Sequence, residues 1–123
     1  MAKKILVIDD EELLIRTMNR LLEKSGYEVY TAKNASDAQV MAEEEEFDLI
    51  ISDIRMPGKN GVETVRAIQN LLASNHKKTL PVVFVTGFAD EEIETEAQKL
   101  HPVAYLFKPF DNQELLDLIK KAI

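Results

Sequence analysis

With 123 residues, the chain has the length of one ordinary domain, and folding would remove roughly two thirds of its unfolded surface from water. A hydrophobic content of 46% and a charged content of 30% are those of a globular protein and exclude wholesale disorder. With 15 basic and 22 acidic side chains the net charge is -7; this repels nucleic acid phosphates and anionic membrane surfaces, so neither direct nucleic acid binding nor membrane binding is expected.

The start, Met1-Ala2-Lys3-Lys4, has the charge of a signal peptide, but the apolar run Ile5-Leu6-Val7-Ile8 stops at Asp9, far too short for the hydrophobic region of one. No stretch approaches the length needed to span a bilayer. Cysteine is absent, which removes disulfides and sulfur-based zinc sites and fits a reducing, cytoplasmic setting.

Taken in chain order, Ile5 to Ile8 reads as a strand, and Leu14, Met18 and Leu21 then share one helix face. A second strand is expected over Tyr27 to Thr31. Asn34, three residues before Asp37, marks a helix start with a narrow stripe of Ala38, Met41 and Ala42. The acidic run Glu43 to Glu46 reads as a solvated helix end. A third strand covers Leu49 to Ile51; Asn60 before Glu63 then starts a helix whose face is Val65, Ile68 and Leu72. The polar stretch Ser74 to Thr79, with His76, reads as an exposed loop. After a fourth strand over Val82 to Val85 comes a helix with a narrow stripe of Ile93, Ala97 and Leu100. A fifth strand over Val103 to Phe107 precedes Asp111 and Glu114, which start a helix with Leu115, Ile119 and Ala122 on one face.

The first, third and fourth runs are apolar throughout rather than alternating, as strands covered on both faces are. Five βα units around a buried parallel sheet make a three-layer α/β domain. No repeat, low-complexity tract or linker divides the chain, so one domain over 1–123 is expected. It ends at Ile123 inside a helical pattern, which suits either a stand-alone domain or the first domain of a longer protein.

In an open parallel α/β sheet, ligands gather beyond the carboxyl ends of the strands. Asp9 and Asp10 follow the first run, Ser52 and Asp53 the third, Thr86 the fourth, and Lys108 and Pro109 the fifth. Each has a bland reading alone: a helix cap, a carboxylate satisfying loop amides, a turn residue, a solvated lysine. Jointly Asp9, Asp10, Asp53, Thr86 and Lys108 bring three carboxylates, one hydroxyl and one ammonium to one edge. Carboxylates crowded to about 5 Å repel by about 3 kcal/mol per pair at an effective dielectric of about 20, so a cation must offset them. An all-oxygen cluster without histidine or cysteine suits magnesium. Lys108 cannot ligate a metal while charged, but it can meet a phosphoryl oxygen as a point charge while Thr86 donates a hydrogen bond to another.

The segments Ile5-Leu6-Val7-Ile8-Asp9-Asp10, Asp53-Ile54-Arg55-Met56-Pro57, Val85-Thr86-Gly87 and Tyr105-Leu106-Phe107-Lys108-Pro109-Phe110 together resemble the response-regulator receiver family from end to end. The resemblance implies a doubly wound, flavodoxin-like fold of five parallel strands in order 2-1-3-4-5 with five helices. It implies that Asp53 is the phosphoacceptor, that Asp10 binds Mg2+ directly and Asp9 mainly through water, and that the backbone carbonyl of Arg55 completes the protein ligands. Thr86 and Lys108 would grip the phosphoryl group, Tyr105 would change rotamer on activation, and the Lys108–Pro109 peptide would be cis. The implied partners are a sensor histidine kinase or phosphotransfer protein upstream and an output domain or target protein downstream, with room for a phosphorylation-dependent dimer. The phosphoryl group would bias the face made by helix 4, strand 5 and helix 5. Where receivers often have a small Gly-Ala pair, this chain has His101-Pro102-Val103-Ala104, which leaves open the end of the fourth helix and the register of the fifth strand. His101 reads as a helix C-terminal residue rather than a phosphohistidine or metal ligand. Arg55 and Phe88 either flank the phosphoryl group and restrict attacking water or point to solvent.

Three rivals weigh less. An aspartate-nucleophile phosphatase needs a second acid two residues after the nucleophile, where Arg55 stands, and a cap domain for which there is no room. A flavin binder needs a phosphate-cradling loop after the first strand, where two carboxylates would repel the phosphate. A binding-only pseudo-receiver typically lacks one of the acids that are all present here. The expected activity is therefore that of a receiver which takes a phosphoryl group from a donor and later loses it to water, and of no other enzyme.

Overall fold

The apolar runs fold as five strands: β1 (Lys4–Ile8), β2 (Glu28–Ala32), β3 (Leu49–Asp53), β4 (Val82–Thr86) and β5 (Ala104–Phe107). They alternate with α1 (Glu12–Lys24), α2 (Ala35–Glu44), α3 (Gly61–Ser74), α4 (Glu91–Gln98) and α5 (Asn112–Ala122). The structure, a computed structural model, describes residues 2–56, 60–87 and 90–123. All neighbouring strands pair in parallel in the order β2-β1-β3-β4-β5, the order the family resemblance implied.

The runs that are apolar throughout are the inner strands, and β3 and β4 are buried at every position. Period-2 alternation sorts their side chains between two cores. Leu6, Ile8, Ile50, Val82 and Phe84 face Ala38, Ala42, Val65, Ile68 and Ala97 of α2, α3 and α4. Ile5, Val7, Ile51, Val83 and Val85 face Met18, Leu22, Leu115 and Ile119 of α1 and α5. The helices therefore cover both faces of the sheet and leave its carboxyl edge open.

Side-chain caps set three helix starts as expected. Asn34 accepts from the Asp37 amide, Asn60 from the Glu63 amide and Asp111 from the Gln113 amide. Asp90 caps α4 in the same way, accepting from Glu92 and Ile93, a signal masked in sequence by the acids that follow it. α1 turns by one position from its expected face: Ile15, Met18 and Leu22 are buried, Leu14 and Leu21 half-buried, and Leu13 is 77% exposed.

Other boundaries move for local reasons. β2 runs from Glu28 to Ala32, one residue later than expected, and β5 starts at Ala104, also one residue later; Val103 before it is 41% exposed at the edge, with its amide bonded to the Val82 carbonyl. α3 continues through Ser74 and ends where His76 takes a positive φ of 59°, its amide bonding to the Ala73 carbonyl. His101 plays the same part after α4, at φ 53° with its amide on the Gln98 carbonyl. The Glu43 to Glu46 run is not wholly solvated, since Glu45 pairs with Lys4 at 2.9 Å and ties α2 to β1. No described helix is long and apolar enough to cross a membrane.

Candidate functional site

Because β1 and β3 are neighbours, with Ile8 beside Ser52, the residues at their carboxyl ends come together. Asp9 is 1% exposed and Asp53 4%, while Asp10 is exposed beside them. One carboxylate oxygen from each of the three lies within 4.8 Å of the other two. The Asp9 amide bonds to the Ala32 carbonyl at 3.0 Å and the Ile54 amide to Asp53 Oδ1 at 2.9 Å, so both acids are held by backbone.

Gly61 holds the Asp53 segment from the side. Its amide donates to the Ile54 carbonyl at 2.7 Å, and a Cβ there would lie 1.8 Å from the Asp53 carbonyl oxygen. Only glycine permits that approach, and no pattern in the sequence singles it out.

The cation enters from the far side of the sheet. The Lys108 amide bonds to the Thr86 carbonyl at 2.7 Å, and the Lys108–Pro109 peptide is cis, as expected. The Lys108 ammonium lies 3.5 Å from Asp9 Oδ2, 3.5 Å from Asp53 Oδ1 and 3.3 Å from Glu11 Oε1. Sequence reasoning missed Glu11. The signal available was a third acid directly after Asp9-Asp10, but its reach to Lys108 depends on the course of the chain into α1.

Thr86 closes β4 and is buried at the same edge. Tyr105 lies on β5, half-buried, its ring centroid 6.4 Å from that of Phe84 and 5.5 Å from that of Phe107. Its hydroxyl is buried with no hydrogen-bond partner among the described residues. Arg55 is exposed two residues after Asp53. Phe88 lies outside the described residues.

The electrostatics follow from this crowding. Burial, then the neighbouring Asp9 charge, pushes Asp53 up to about 6 against the partial relief that Lys108 gives. Burial also raises Asp9, opposed by the Glu11 amide and Lys108. For Lys108 burial works against the charge, but Asp9, Asp53 and Glu11 outweigh it and hold the ammonium above its ordinary value. One lysine thus leaves the pocket short of positive charge. Among the described residues Asp9 Oδ2 is buried without a hydrogen bond, its contact with Lys108 being an ion pair at 3.5 Å. A hard divalent cation is what these donors lack: oxygen ligands only, two of them desolvated, one unsatisfied.

A family model for the response regulator receiver domain matches residues 5–120. The fold is similar to that of the Vibrio cholerae chemotaxis protein CheY4, at 29% identity over the whole of both chains with a TM-score of 0.88. It is similar to a CheY-like receiver domain protein of Methanospirillum hungatei, at 30% identity over 98% of this chain and 93% of that one, TM-score 0.89. A receiver domain protein of Clostridium thermocellum is 32% identical over 98% and 94%, TM-score 0.84. With the order of the strands and the acids at their carboxyl edge, these matches show that the chain belongs to the response regulator receiver domain family of two-component signalling.

Proposed function

We propose that Asp53 is the phosphoacceptor of this receiver, and that the whole chain, 1–123, works as one phosphorylation switch. The observation that carries this is the Lys108 ammonium held 3.5 Å from both the Asp53 and Asp9 carboxylates at the open edge of the sheet. A strand-end carboxylate paired with a cation that cannot itself ligate a metal suits a nucleophile whose incoming partner is an anion. The phosphatase alternative lacks its second acid, since position 55 is Arg.

Receiver domains generally bind Mg2+ at an acidic pocket, and here Asp10 and Asp53 would hold it directly, Asp9 mainly through water, with the Arg55 backbone carbonyl. When bound, the ion supplies positive charge to the oxygens of the transferring group. An Asp53 carboxylate oxygen attacks the phosphorus of the donor, a phosphohistidine or a small acyl phosphate. A P–O bond forms to Asp53 as the donor's P–N or P–O bond breaks, and the leaving group departs with that electron pair. Lys108 meets one phosphoryl oxygen and Thr86 donates to another. Water later hydrolyses the aspartyl phosphate.

Engagement of Thr86 and Lys108 would pull on the ends of β4 and β5 and bias Tyr105 and the α4–β5–α5 face, which an output domain or target protein reads. The donor is a sensor kinase or phosphotransfer protein. The test is intact-mass analysis with a small acyl phosphate. One phosphoryl group is expected on the wild type with Mg2+, none with chelator, and none on Asp53→Asn; undiminished labelling of that variant overturns the assignment.

A further inference from the structure

Three carboxylates surround one ammonium in this pocket, and they are not equivalent. Asp9 and Asp53 are buried at strand ends and pinned by backbone hydrogen bonds. Glu11 reaches in from the N-cap of α1, its side chain 63% exposed, and accepts the hydrogen bond from Lys108 Nζ at 3.3 Å. Its backbone is tied to the same site, because its amide donates to Asp9 Oδ1 at 2.9 Å.

An ammonium has three donors, and here three acids lie within ion-pair distance of it. A phosphoryl oxygen that reaches this ammonium competes with them for its donors, and first with Glu11, which accepts a hydrogen bond from it. Neither buried aspartate can withdraw into water. Glu11 can, because its carboxylate is already mostly hydrated and sits on a longer stem.

Resting on the reading of Asp53 as phosphoacceptor, we propose that Glu11 is a positioning residue that holds Lys108 over the two aspartates in the resting protein and competes with the phosphoryl group for that ammonium. The consequence is a brake on phosphoryl uptake set by an ion pair that joins residues 97 positions apart in the chain. As a partly exposed pair it is weak, so the brake is a matter of a few-fold and not a lock.

The test compares wild type, Glu11→Gln, Lys108→Gln and the double variant, using acetyl phosphate at saturating Mg2+ with intact mass as the readout. Glu11→Gln should speed initial labelling roughly two- to fivefold, and the same change in the Lys108→Gln background should do nothing. A second readout does not need phosphorylation: the 1H–15N signal of the Lys108 side-chain ammonium in the metal-free protein should shift or broaden in Glu11→Gln. Labelling that is unchanged or slower in Glu11→Gln, or equally faster without Lys108, overturns the competition. In both of those cases the wild type is still labelled at Asp53, so the phosphoacceptor reading stands. A wild type that takes up no phosphoryl group overturns both.

Discussion

The strand that carries Asp53 and the strand that leads to Lys108 meet at one pocket but are built differently. β3 is central, paired on both sides and buried at every position. β5 is an edge strand paired with β4, none of its residues is fully buried, and Phe107 is 47% exposed. A group on β3 has its place fixed by packing on both faces, while one on β5 is held on one side and can shift at lower cost. On the proposed reading, the phosphoacceptor sits on the part that must not move, and the groups proposed to respond to it, Tyr105 and Lys108, belong to the part that can.

The comparison is broken most severely by disturbing the rigid side. Gly61→Ala would place a Cβ 1.8 Å from the Asp53 carbonyl oxygen, and since backbone rather than a flexible side chain is in the way, a loss of at least about 3 kcal/mol is expected. Urea denaturation measures it, and a loss below about 1 kcal/mol would mean that the end of β3 yields as easily as an edge strand.

Charge comes next. Asp53 is held near 6 against an ordinary 3.8, so between those values the folded protein binds more protons than the unfolded chain. Stability of the metal-free protein should therefore fall as pH rises from about 4 to about 6, by about 3 kcal/mol from this group, and stay low above that. Asp53→Asn removes the ionisation and should be the more stable protein at pH 7 by about 2 kcal/mol, with little difference at pH 4. Thermal melts of both proteins with chelator, at several pH values, check this; equal melting points at pH 7 would contradict it. Mg2+ should narrow the gap by stabilising the wild type alone.

The smallest effect falls on the edge strand. The Tyr105 hydroxyl is buried without a hydrogen bond among the described residues, so Tyr105→Phe removes an unsatisfied group and should raise stability by about 1 kcal/mol. A loss of similar size in the same urea titration would mean that the hydroxyl has a partner in solution, and that β5 is held more firmly than its exposure suggests.

Much of this is legible in the amino-acid sequence. Strand runs apolar throughout report burial on both faces, because a strand exposed on one side has no reason to avoid polar residues at every second position. Asn34, Asn60 and Asp111 announced their helices through contacts that span only two or three residues. Asp9, Asp10, Asp53, Thr86 and Lys108 could be gathered at one edge because each closes a strand or follows one within two residues and all the strands are parallel.

What tertiary structure alone decided lies in distances between segments far apart in sequence. The order of the strands came from likeness to a family rather than from periodicity, since a buried run carries no mark of its neighbours. α1 buries Ile15 and Leu22 more deeply than Leu14 and Leu21 because its rotation is set by the sheet beneath it, which a repeating apolar pattern specifies only to within a residue. Glu11 and Gly61 were invisible for the same reason. An acid beside two acids and a glycine at a helix start are common in any chain, and each acquires its meaning only where a distant group, the Lys108 ammonium or the Asp53 carbonyl, is folded against it.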